Sequence, residues 1–115
     1  MSQRSDVDLI DDILLCMNKI QQYILGLSYE EFESDFKTQD AIIRNLEIVG
    51  EASRKLSEDI KQKYHNIPWK AISGTRNRLI HGYFGVNIDI VWEIATVDIP
   101  DLKKEIEKMK SELYG

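Results

Sequence analysis

One cysteine, two prolines and six glycines are spread over 115 residues. A lone Cys16 excludes an internal disulfide framework and, set among apolar neighbours, points to a reducing compartment. So few prolines and glycines exclude collagen-like chains, linkers and turn-rich β-sandwiches. The longest unbroken apolar run is residues 13–17, far short of the ~20 residues a membrane span needs. Residues 1–6 lead straight into a charged helical pattern and lack a secretory apolar segment. What is present is 43% hydrophobic, 30% charged and 9% aromatic residues, a globular profile of one-domain size. The expectation is a single domain over residues 1–115, cytoplasmic, with no membrane contact.

Charge is unevenly placed. The chain has 15 Lys+Arg against 20 Asp+Glu, a net of −5, which argues against a general nucleic-acid binder. Residues 60–88 nevertheless contain no acid, while carrying Lys61, Lys63, Lys70, Arg76, Arg78 and both histidines, His65 and His81. Such a window reads as a local anion site, for phosphate above all. It reads equally as a basic helix docked on acidic helices of the same fold, or on an acidic partner.

The periodicity is helical throughout. Ser5, with Asp6 and Asp8 behind it, has the form of a helix start. Ile10, Ile13, Leu14, Met17, Ile20, Ile24 and Leu27 follow at helical spacing, and Gly26 is a stop. Ser28 and Glu31 form a capping-box pattern that opens a short helix. Thr38 is the expected cap of a long helix whose stripe is Ala41, Ile42, Leu46, Val49, Ser53 and Leu56. A further turn is expected near residues 58–64. Pro68 opens a helix that should run through Trp69, Ile72, Leu79 and Ile80 to Gly82. A last helix starts after Asn87, is kinked or restarted at Pro100, and carries Ile106 and Met109. The fold class is therefore all-α, an antiparallel helical bundle of four main helices plus short ones.

Within the helix expected over residues 68–82, Trp69, Ile72, Leu79 and Ile80 all fall within about 60° of Arg76 on the helical wheel. A guanidinium in an apolar stripe needs a carboxylate or a phosphate, because an unpaired buried charge costs several kcal/mol or more. Asn77, Lys70, His81 and Gly74 share the neighbouring face. Asn77 and His81 are four residues apart, so one can orient the other. A purely architectural account also fits these residues: Arg76 pairs with a core acid, His81 caps the helix end, and Gly74 marks close helix packing.

The octapeptide Arg76-Asn77-Arg78-Leu79-Ile80-His81-Gly82-Tyr83 resembles the Arg, four residues, His, any residue, Tyr signature of HEPN-superfamily toxins, specifically the HepT-like ribonucleases. The segments Ile67-Pro68-Trp69-Lys70, Asn45-Leu46-Glu47-Ile48-Val49-Gly50-Glu51-Ala52 and Asn87-Ile88-Asp89-Ile90-Val91-Trp92 are similar to that family as well. The resemblance implies a HEPN-like bundle that acts as a metal-independent endoribonuclease, the toxin of a toxin–antitoxin pair. It implies a homodimer with two motifs facing each other across a cleft, and a small nucleotidyltransferase antitoxin that transfers AMP onto the motif tyrosine. By position Arg76 and His81 would be catalytic and Tyr83 the modified residue. Asn77, Lys70, Arg78 and Glu51 receive supporting places, and the substrate would be a tRNA or mRNA.

The residue types suit that chemistry. Attack by a ribose 2′-hydroxyl on the adjacent phosphate needs a base, an acid and a cation for the developing charge. A histidine titrates near neutrality and can carry either proton. An arginine matches phosphate geometry with its planar fork. Two histidines 16 apart, with no Cys or Asp at ligand spacing, give no metal site, and neither a phosphate loop nor a cofactor motif is present. Glu47 and Glu51, flanked by Arg44, Arg54 and Lys55, read as a solvated ion-pair face, although one of them could instead orient Arg76 or line the cleft. His65 reads as a loop or helix-end residue, and Trp69 and Trp92 as core or dimer contacts. The competing function is a non-catalytic helical module that binds a nucleotidyltransferase or a nucleotide. A third possibility is a structural bundle in which Arg76 serves only as an internal ion-pair partner.

Overall fold

A computed structural model describes residues 4–75 and 85–115. The chain is an all-α bundle. Helix α1 (Asp6–Ile24) begins where Ser5 Oγ accepts the Asp8 amide at 3.3 Å, with Asp6 and Asp8 in the first turn. It buries Leu9, Ile10, Ile13, Cys16, Met17 and Ile20. The helix ends at a turn in which Gly26 takes φ +78°, a left-handed conformation that side chains resist.

Helix α2 (Tyr29–Ser34) carries the expected capping box between Ser28 and Glu31. Helix α3 (Phe36–Lys55) starts earlier than expected. Its cap is Asp35 rather than Thr38: the carboxylate accepts both the Thr38 amide (3.0 Å) and the Thr38 hydroxyl (2.6 Å). A carboxylate favours this place because it faces the positive end of the helix dipole, and the Thr38 contacts hold the Asp35 carboxyl below its usual range. Gln39, buried, donates to the carbonyls of Phe32 and Glu33 at 2.8 and 2.9 Å. It thereby reaches the Glu33 carbonyl at the C-terminus of α2 and adds a second bond to the Phe32 carbonyl, which also accepts the Asp35 amide at 3.1 Å.

A short α4 (Glu58–Lys63), capped by Ser57, fills the expected further turn. The Ser57 amide also donates to Asp6 Oδ1 at 3.0 Å. That bond joins the end of α3 to the start of α1, so the two long helices run antiparallel. Helix α5 (Trp69–Ser73) is shorter than the expected 68–82 helix within the described residues. It ends at Gly74, whose amide is shared between the carbonyls of Lys70 and Ile72. Glycine is the poorest ordinary helix former. The Thr75 hydroxyl bonds the Ala71 and Ile72 carbonyls at 3.2 and 2.8 Å, which further weakens the ladder there. The remainder of that expected helix lies outside the described residues.

Helix α6 (Ile88–Glu93) opens on Asn87, whose side chain accepts from the amides of Asp89 and Ile90. A π-helical turn, Ile94–Asp98, then leads into α7 (Ile99–Tyr114). In that turn the Ile99 amide reaches back to the Ile94 carbonyl. Pro100 sits in the first turn of α7, where its missing N–H leaves no vacancy, so the proline restarts the helix. Helix α7 lies antiparallel along α1, held at its two ends by Lys103–Gln21 (2.9 Å) and Lys110–Asp11 (2.6 Å). Ile10, Ile13, Met17, Ile42, Val91, Ile106 and Met109 meet in one core with no exposed surface. Each such side chain contributes on the order of 1.5–3 kcal/mol relative to an exposed one. Among the described residues no helix is long and apolar enough to cross a membrane.

Candidate active site

The sequence-selected residues Arg76, Asn77, Arg78, His81 and Tyr83 lie outside the described residues. The structure describes both flanks of the segment that carries them. Upstream, Trp69 and Ile72 bury α5 in the core, and the Trp69 indole N–H donates to the Tyr64 carbonyl at 3.0 Å. Trp69 is thus a core residue. The crossing of α5 on α3 is made close by Gly50: a Cβ there would stand 3.2 Å from the Ile72 carbonyl oxygen and 3.6 Å from that of Ser73. Glycine lets the two backbones approach this far without strain, whereas a Cβ would make the Ile72 carbonyl give way by a few tenths of an ångström.

Downstream, Asp89 in the first turn of α6 accepts a hydrogen bond from the Tyr29 hydroxyl of α2. Its carboxylate favours the protonated phenol, and with burial and the nearby Glu33 it pushes the Tyr29 pKa up to about 12. Trp92 packs edge-on against the Tyr29 ring, with centroids 5.6 Å apart and planes at 82°, and against Phe32 at 5.2 Å. Trp92 is therefore a half-buried packing residue. The motif segment is anchored on one side to α3 through α5, and on the other to α2 through α6.

A cleft of about 460 Å³ lies where α1, α3 and the end of α5 meet, and Glu47, Gly50, Glu51 and Ser73 line it. The structure thus brings Glu47 and Glu51 to the helix that leads into the motif. Glu51 is solvent-exposed and pairs with Arg54 at 3.2 Å, an ion pair of the solvated kind that contributes little to stability. Glu47 is half-buried on the same wall. Lys70 is exposed on α5 and does not line this cleft. His65 is exposed in the turn between α4 and α5. Cys16 is buried, and burial pushes its thiol pKa up, so it is a packing residue and not a nucleophile. Among the described residues no group of three or more His, Cys, Asp or Glu could hold a metal ion.

Two features were missed from sequence. The Tyr29–Asp89 bond spans sixty residues and has no local signature. The close crossing at Gly50 did leave a sign: a glycine inside an otherwise strong helical pattern costs about 1 kcal/mol and marks a packing reason.

The family model described as Ribonuclease HepT-like matches residues 13–109. A candidate RNase of Methanocaldococcus jannaschii is 41% identical over 115 residues, covering 100% of this chain and 95% of its own length. A protein of Thermococcus cleftensis named "Probable ribonuclease HepT" is 40% identical over 108 residues, 94% of this chain and 98% of its own. The mRNA nuclease HepT of Shewanella oneidensis is 27% identical over 130 residues, covering 92% of this chain and 96% of its own. No solved structure gives a significant match. The all-α bundle and a match that runs through both flanks of the Arg76–His81 segment place this chain in the HepT-like ribonuclease family.

Proposed function

We propose that the protein is an endoribonuclease that cuts RNA at a composite site made by Arg76 and His81 of two identical subunits. The observation that carries this reading is family membership across residues 13–109, in a chain whose octapeptide at 76–83 holds a cation and an imidazole four intervening residues apart. The relative from Shewanella oneidensis is named an mRNA nuclease, which supports RNA as the substrate class.

In the proposed step the ribose 2′-oxygen bonds to the adjacent phosphorus as the bond from phosphorus to the 5′-oxygen breaks. A neutral His81 accepts the 2′-hydroxyl proton, and the protonated His81 of the second subunit delivers one to the leaving 5′-oxygen. Arg76 holds the phosphate oxygens as charge builds on them. The products are a 2′,3′-cyclic phosphate and a 5′-hydroxyl. No metal has a part in this scheme. One chain offers a single motif histidine, and a symmetric dimer offers two. Asn77, Lys70, Arg78 and Glu51 take supporting places around this centre.

The same reading makes the protein a cytoplasmic toxin with a nucleotidyltransferase antitoxin. Transfer of AMP from ATP to the Tyr83 hydroxyl, with loss of pyrophosphate, would put bulk and negative charge beside the cleft. That charge repels RNA phosphates.

Purified protein incubated with RNA in the presence of a chelator tests the proposal. The wild type should leave 2′,3′-cyclic phosphate ends, and His81→Ala or Arg76→Ala should lose at least about 100-fold in rate while keeping the helical circular-dichroism spectrum. RNA left intact by the wild type, or cut equally well by both variants, overturns it.

A further inference from the structure

The cleft between α1, α3 and α5 has an unusual charge arrangement for this acidic chain. Among the described residues four cations, Arg4, Arg44, Arg54 and Lys55, line it, against three acids, Asp12, Glu47 and Glu51. Over the whole chain acids outnumber cations 20 to 15. Two of the four cations are taken: Arg4 holds Asp12 through two bonds, at 2.7 and 3.1 Å, and Arg54 holds Glu51 at 3.2 Å. Arg44 and Lys55 have no carboxylate partner among the described residues, although Glu47 lies on the same helix between them. Both are exposed, and they stand eleven residues apart on α3, which returns them to one face after three turns.

The floor between them is apolar, formed by Leu9, Leu46, Ile48 and Ala52. At about 460 Å³ the cleft is in the size range of small-ligand sites. An apolar floor flanked by two unpaired cations fits bases lying flat with phosphates at either end. The cleft wall also includes Ser73, three residues upstream of Arg76.

We propose that this cleft is a substrate subsite, in which Arg44 and Lys55, about 16 Å apart along α3, hold non-adjacent backbone phosphates of single-stranded RNA to one side of the bond to be cut and the apolar floor seats the bases between them. The inference rests on the RNA-cleavage reading for the identity of its ligand. It assigns Arg44 and Lys55 to substrate binding and not to the chemical step. In the pairs Arg4–Asp12 and Arg54–Glu51 the cation is already engaged by a carboxylate, which leaves Arg44 and Lys55, among the described residues, as the cleft cations free for phosphates. Glu47 offers an acceptor for base N–H groups and disfavours a phosphate at the middle of the cleft, so the strand is oriented along α3.

The test uses full-length protein with the double substitution Arg44→Gln and Lys55→Gln. A second pair, Lys37→Gln and Lys104→Gln, removes the same charge from exposed positions that do not line the cleft. Binding of a fluorescent single-stranded RNA is measured in a His81→Ala background at several salt concentrations, and cleavage kinetics are measured with His81 intact. The cleft pair should weaken binding at least fivefold. It should also flatten the dependence of log K on log salt by about 1.4, from ~0.7 per lost phosphate contact on a single strand. KM should rise by a similar factor with kcat within twofold, and the second pair should change neither quantity. Unchanged affinity and salt slope in the cleft pair, an equal loss in the second pair, or no RNA binding by the parent overturns the proposal. RNA that is bound through the cleft but never cut would sink the cleavage reading and leave the subsite standing. Cutting that depends on His81 but is indifferent to Arg44 and Lys55 would do the reverse.

Discussion

Helices α1 and α5 are built by opposite means. The first has 19 residues, a side-chain cap at Ser5 and an unbroken apolar stripe. The second has five residues, no side-chain cap at Pro68, a glycine at its end, and a threonine hydroxyl drawing on its last carbonyls. What holds α5 is tertiary: Trp69 and Ile72 in the core, and a close backbone approach to α3 at Gly50. Local propensity and packing agree along α1 and disagree along α5. Functional segments are where such agreement is commonly given up, and α5 is the element that runs into Arg76.

That contrast can be broken experimentally. The largest stability effect should come from Ile13→Ala on α1, where a side chain with no exposed surface is removed. A loss of about 2–5 kcal/mol is expected in denaturant melts, with cleavage per folded molecule unchanged. Gly50→Val should cost less, about 1–3 kcal/mol from overpacking, because its Cβ meets the Ile72 carbonyl at 3.2 Å. Its RNA cleavage should nevertheless fall further than the fraction unfolded explains, since the strain is directed into α5. If Ile13→Ala disabled folded molecules and Gly50→Val did not, the division into scaffold and site-bearing element would be wrong.

Much of the scaffold was legible in advance. The stripes of α1 and α3, the Ser5 cap, the Ser28–Glu31 box and the restart at Pro100 all follow from spacing and cap chemistry, and each appears in the structure. The start of α3 was misread because Asp35 and Thr38 are both cap formers three residues apart. A carboxylate that takes two bonds from Thr38 prevails over a hydroxyl. The interruption of the expected 68–82 helix at Gly74 was not foreseen because the wheel stays amphipathic past it; Thr75 is helical again, and the remainder lies outside the described residues. At the candidate site, the Arg76–Tyr83 octapeptide was legible as a motif, although it lies outside the described residues. The cleft that gathers Glu47, Glu51 and Ser73 was not, because α3 and α5 meet there only after folding.

Two smaller effects sharpen the contrast. Ser28→Ala removes the acceptor of the Glu31 amide and should cost about 1 kcal/mol, read as a lower denaturation midpoint with kcat unaltered. Tyr29→Phe concerns the downstream anchor. The folded pKa of Tyr29 is raised from the ordinary 10 to about 12, so the folded state holds this proton more tightly than the unfolded chain does. The stability it contributes is fully present below about pH 10 and is lost as pH rises toward about 12. The wild type should therefore melt at progressively lower temperature over that interval, and the phenylalanine variant should show a flatter alkaline limb.

The π-helical turn at Ile94–Asp98 separates two lengths of what would otherwise be one rod. Helix α6 before it lies against α2 and α3, and α7 after it lies against α1. The one surplus residue wound into that turn offsets the two lengths by about 100° in azimuth, enough to redirect Ile106 and Met109 from one neighbour to another. Excising a single amino acid there would swing that greasy seam toward water along the whole of the final helix. The chain can vary in length at many surface loops, but at this joint its residue count is a condition of closing the bundle.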